Sequence, residues 1–140
     1  MMDSSLRRLQ TIRFALLASI ALYFVVSLYS PARSQGSPQM FEILALTSAV
    51  IVAAVFVLRG KVLAPSATLA ATQPEDANAM SLWRTAHIII WAMCEVIAMY
   101  GLLLRYLGAT VAQAAPFFAA GFLLILLLGP RRPASAELPT

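Results

Sequence analysis

Between Arg84 and Arg105 the chain reads TAHIIIWAMCEVIAMYGLLL, residues 85–104. Twenty residues in α-helical form rise about 30 Å, the thickness of the hydrocarbon layer of a bilayer. Near the centre of this run stands one carboxyl, Glu95. A carboxyl at that depth is costly unless it is protonated, hydrogen-bonded or wetted, so it marks a candidate functional site. One stretch thus fixes the solvent in which the chain folds and the residue that needs explaining.

Composition agrees with the stretch. The 140 residues are 61% hydrophobic and 11% charged, whereas soluble domains carry about 25% charged residues. Three further runs are long enough to span, at about residues 12–29, 41–58 and 109–128. They are continuously apolar rather than alternating, so helices are expected and barrel strands are not. The predicted fold is an all-α integral membrane bundle of four transmembrane helices, forming a single domain over residues 1–130. Residues 131–140, without an apolar period, are predicted to be a disordered tail.

Arginine and lysine orient the bundle. Arg7, Arg8, Arg13, Arg59, Lys61, Arg84, Arg131 and Arg132 fall on one side, and only Arg33 and Arg105 on the other. The positive-inside rule then places both termini in the cytoplasm. The same distribution explains the net charge of +4 without nucleic acid as a partner. A cleaved signal peptide over residues 1–32, ending at Ser30-Pro31-Ala32, is the competing reading. Its apolar run from Phe14 to Ser30 has 17 residues, longer than the 7–15 usual for such leaders. Tyr23, Phe24 and Tyr29 also suit a permanent helix.

Connections follow from local chemistry. Gly108 suits the left-handed position that ends a helix, so the third and fourth helices are expected to form a tight antiparallel hairpin. Residues 60–71 read as a cytoplasmic loop. Thr72-Gln73-Pro74-Glu75 has the capping-box pattern, which predicts a third helix starting near Gln73 and running to about Leu107. Ala45, Ala49 and Ala53 repeat every fourth residue, and Ala115 and Ala119 form a shorter ridge; both predict close helix packing.

Around the third helix, Arg84, His87, Trp91, Glu95, Ala98, Leu102 and Arg105 share one stripe, the expected inward face. Matching depths, Tyr23 on the first span and Thr47 and Ser48 on the second are the expected partners of Glu95. His87, nearer the cytoplasmic end, is a candidate relay or an interfacial anchor. No basic residue lies at the level of Glu95, so a neutral, hydrogen-bonded acid is its expected ground state. The candidate proton or ion site is therefore Glu95, Tyr23, Thr47, Ser48 and His87. One cysteine, Cys94, excludes an internal disulfide and a multi-cysteine metal centre, and one histidine excludes bis-histidine haem within the chain. No catalytic cluster, cofactor or metal is expected.

The run Glu95-Val96-Ile97-Ala98-Met99-Tyr100-Gly101-Leu102 resembles the ion-binding helix of rotary ATPase proteolipid (c-type) subunits. That resemblance implies a proton- or sodium-carrying role for Glu95. It covers about ten residues, and the glycine repeat of the inner helix in that family has no counterpart here: residues 12–29 and 41–58 contain no glycine. Taken whole, the chain resembles small bacterial four-span membrane proteins, which implies the inner (plasma) membrane. The sequence predicts a non-catalytic accessory or scaffold subunit, in contact with lipid and with other membrane subunits or a second copy. The alternative is proton or cation translocation through Glu95.

Overall fold

The computed structural model describes residues 2–29, 37–73 and 76–130. Its elements are α1 (Met2–Tyr29), α2 (Pro38–Leu58), a π-helical turn (Arg59–Leu63), α3 (Ala64–Thr72), α4 (Ala77–Tyr106) and α5 (Val111–Leu127). Every described element is helical. Three helical stretches are long and apolar enough to cross a membrane: Leu6–Tyr29, Pro38–Thr72 and Ala77–Tyr106; Val111–Leu127 is a shorter apolar helix. The four together make a helical bundle of the kind found in membrane proteins. The segment 30–36, with the signal-cleavage position, and the tail 131–140 lie outside the described residues.

α4 is the central helix and packs against α1, α2, α3 and α5. Its buried residues recur at three- and four-residue steps from Ala79 through Trp83, His87, Ile90, Cys94, Ala98 and Gly101 to Arg105. That period gives one continuous buried face. The expected stripe is rotated slightly on it. His87, Trp91, Ala98 and Arg105 are buried, but Arg84, Glu95 and Leu102 sit at its edge, half-buried. The reason is α5, which claims the centre of the face where α4 carries its smallest side chains. A methyl group at Gly121 would come within 2.7 Å of the Cys94 carbonyl oxygen and 3.0 Å of Ala98 Cβ. One at Gly101 would come within 3.1 Å of the Ala114 carbonyl.

The α4–α5 connection closes as a Schellman motif. The Ala109 N–H donates to the Leu104 carbonyl, and the Gly108 N–H to the Arg105 carbonyl. Gly108 takes φ 94°, a conformation that glycine adopts without a Cβ penalty. Thr110 then starts α5 through a reciprocal capping box with Gln113. At the other candidate capping box, Pro74 and Glu75 lie outside the described residues. Thr72 ends α3, and its hydroxyl donates back to the Thr68 and Leu69 carbonyls. α4 begins later than the sequence predicts, at Ala77, with the Asp76 carboxylate accepting from the Asn78 N–H at 2.9 Å.

The stretch 60–71 differs from its sequence reading: it is helical rather than a loop. Alanine and leucine carry the helix past Leu58, and the obstacle is Pro65, whose ring would meet the carbonyl four residues earlier. The π turn over Arg59–Leu63 widens the backbone just before it, with the Ala64 N–H reaching the Arg59 carbonyl. The helical stretch Pro38–Thr72 has 35 residues, about 52 Å, and its α3 end packs against α4.

Candidate functional site

Polar side chains on α1 recur at Ser19, Tyr23 and Ser27, one face of a helix at four-residue spacing. Some apolar side chains of α1, such as Phe14, Leu22 and Val25, point outward, while Leu6, Leu9 and Ile20 are buried in one core with Trp83, Trp91 and Cys94. Polar contacts add to this apolar attachment at three depths.

The middle level contains Glu95. Ser19 Oγ lies 2.6 Å from Glu95 Oε1, and Tyr23 donates its phenolic proton to the same oxygen at 3.1 Å. Ser19 Oγ is also 2.9 Å from the Leu16 carbonyl. A hydroxyl has one proton, and a carbonyl can only accept. That proton is shared between Glu95 Oε1 and the Leu16 carbonyl, so Oε1 accepts from both Ser19 and Tyr23. Both contacts fall on Oε1 of this half-buried residue, and Oε2 makes no hydrogen bond among the described residues.

At the level of the α4–α5 turn is Arg105, buried at 5% exposure. Its Nε donates to the Ser27 carbonyl at 3.0 Å, and Nη1 donates to the Ala109 carbonyl at 2.6 Å. The guanidinium thereby joins α1, α4 and the turn into α5. At the opposite end of the bundle is Arg13, whose Nε and Nη2 donate to the Ile125 and Leu126 carbonyls at 3.3 and 2.8 Å. Those are among the last carbonyls of α5, which lack partners within their own helix. A positive charge also suits this negative helix end. Trp91 satisfies another, donating from Nε1 to the Leu128 carbonyl at 3.0 Å.

The structure brings Tyr23 to Glu95 and adds Ser19, which depth matching alone did not single out. The four-residue spacing of Ser19, Tyr23 and Ser27 is the signal that identifies it. Thr47 and Ser48 are elsewhere, because α2 meets a different part of α4: Leu44 packs in a cluster with Ile97 and Leu104. Thr47 donates to the Ile43 carbonyl in its own helix. Ser48 Oγ is buried and has no hydrogen-bond partner among the described residues.

His87 is also separate. Its Nδ1 is 3.0 Å from the Trp83 carbonyl, so that nitrogen carries a proton. The ring lies edge-on between Trp83 and Trp91, with centroids 4.9 and 5.5 Å away. Trp91, wholly buried, stands between His87 and Glu95 on α4. Cys94 is a buried free thiol at the closest approach of α5. Among the described residues no group of three His, Cys, Asp or Glu side chains is placed to hold a metal ion. No family model, no curated protein and no solved structure matches this chain.

Proposed function

We propose that this chain is a non-catalytic integral membrane protein, an accessory or scaffold subunit of a membrane complex. Its four apolar helices cross the inner (plasma) membrane with both termini in the cytoplasm, as the arginine and lysine distribution favours. The observation that supports a scaffold role most is the seam between α2 and α5. There Ala45 and Ala49 border an open cleft of about 240 Å³, opposite Pro116 and Phe117 and beside the unbonded Ser48. Ala49 and Ala53 of the same ridge are exposed. Small residues allow close helix approach within a bilayer, where apolar burial gives no preference for protein over lipid. A ridge of this kind left open suits a helix from another subunit or a second copy.

Proton or cation translocation through Glu95 is the alternative, favoured by an Oε2 that makes no hydrogen bond among the described residues. Against it, Trp91 interrupts the path between Glu95 and His87. Purification of the full chain in mild detergent separates these readings. A scaffold travels in an assembly larger than one 15.1-kDa chain in its detergent belt. Ala49→Phe fills the seam and is expected to release the partner while the unfolding midpoint stays near that of the wild type. A single chain that runs alone and moves protons when placed in vesicles would overturn the scaffold reading.

A further inference from the structure

α1 and α4 run side by side in one direction. Ser19 meets Glu95 across 76 residues of sequence, and the same offset pairs Arg8 with Arg84 and Ile12 with Ile88. These side chains line a cleft of about 230 Å³ between the two helices, together with Ser81 and Thr85. Among the described residues no aspartate or glutamate lines it. Arg8 is exposed. Arg84 uses its Nε on the Met80 carbonyl at 3.3 Å, and its terminal nitrogens make no bond among the described residues.

Depth gives the cleft its meaning. Arg84 is eleven residues before Glu95, about 16 Å along the helix axis, and Arg105 is ten residues beyond it, about 15 Å. With Glu95 at the midplane, the two arginine levels coincide with the two faces of a hydrocarbon layer about 30 Å thick. The cleft then has a polar tier of two guanidiniums and two hydroxyls at headgroup level. Ile12 and Ile88 form an apolar tier one turn deeper.

We propose that this cleft binds an anionic phospholipid of the cytoplasmic leaflet. The Arg8 and Arg84 guanidiniums grip the phosphate, Ser81 and Thr85 donate to its oxygens or to the headgroup, and one acyl chain runs past Ile12 and Ile88. Guanidinium forks suit phosphate oxygens, and basic pockets between helices on the cytoplasmic side are the usual form of such sites. The proposal rests on the membrane-spanning reading above.

Native mass spectrometry of the full chain in mild detergent tests it, titrating phosphatidylglycerol, phosphatidylcholine with the same acyl chains, and inorganic phosphate. Phosphatidylglycerol is expected to bind more tightly than phosphatidylcholine. Arg8→Gln is expected to weaken it about five-fold, and Arg8→Gln with Arg84→Gln about thirty-fold. Lys61→Gln, outside the cleft, leaves it unchanged. Because Arg8 is exposed, its single variant tests the site without disturbing the packed core. Equal retention of phosphatidylglycerol by the double variant, an equal loss in Lys61→Gln, or inorganic phosphate binding as tightly as the lipid would each overturn the proposal. Alkaline extraction of membranes separates the two levels of failure. A chain that leaves the membrane at high pH sinks the membrane-spanning reading itself; a chain that stays but lacks the lipid preference sinks only the site.

Discussion

Leucine in place of Gly121 is expected to drive α5 off α4 and to destabilise the chain by about 3 kcal/mol. The obstacle is main chain rather than a movable side-chain end. The first added carbon already lies 2.7 Å from the Cys94 carbonyl oxygen and 3.2 Å from the Ala98 nitrogen. Neither atom can move without shifting α4, and α4 is the helix on which every other helix rests. The remaining leucine carbons enlarge the clash. Denaturant titration of detergent-purified protein, followed by tryptophan fluorescence, reads the change, since Trp83 and Trp91 are both buried in α4. Ala112→Leu, at an exposed position of α5, serves as the control and is expected to leave the midpoint nearly unchanged. Equal midpoints for the two variants would mean that α5 does not approach α4 at Gly121.

Arg105→Met is the second large effect, again about 3 kcal/mol. Methionine keeps much of the length and the apolar stem and removes the donors. The Ser27 and Ala109 carbonyls then lose charge-assisted bonds of 3.0 and 2.6 Å in a buried place. Two helices and a turn lose their common tie at once. Arg105→Lys is expected to fall between wild type and Met, because a single ammonium does not reproduce the fork that spans both carbonyls. The α1 end near Ser27 is expected to loosen first, read as faster hydrogen exchange there than in α5. Uniform loosening of all helices, or none, would contradict the role given to this side chain.

Much of the architecture was legible in the residues because membrane helices are written in long apolar runs. The run 85–104 lies within α4, and Gly108 marks the turn by the φ it adopts. Less legible was which helix faces which. Depth matching placed Tyr23 beside Glu95 but equally admitted Thr47 and Ser48, since spacing along an axis carries no information about neighbours around it. The polar stripe Ser19, Tyr23, Ser27 carries that information for α1. The alanine ridge of α2 is less specific: small residues permit close approach, but within the chain α4 and α5 approach most closely at Gly101 and Gly121, and Ala49 and Ala53 are left exposed. The 60–71 stretch reads as a loop by its alanine, serine and threonine content and its place between two long apolar runs. A π turn absorbs the proline and lets the helix continue.

Tyr-Gly-Leu in the run resembling the proteolipid subunits has a local explanation as well. Gly101 sits where α5 comes closest to that part of α4, so packing accounts for it independently of ion carriage. Glu95 then belongs with Arg13 and Arg105 as one of three polar ties that hold α1 beside the other helices. In a bilayer such ties matter because apolar contact alone does not distinguish a helix from lipid.

We propose that Glu95 serves as a structural tie rather than as a proton carrier. Proton flux into vesicles under an imposed membrane potential, with wild type and Glu95→Gln compared at equal protein content, tests it most directly. Glutamine offers a donor and an acceptor to Ser19 and Tyr23, so the variant is expected to fold as the wild type does. The expected result is flux at the protein-free level in both. Flux in the wild type that disappears in a Glu95→Gln protein with an unchanged unfolding midpoint would contradict the claim.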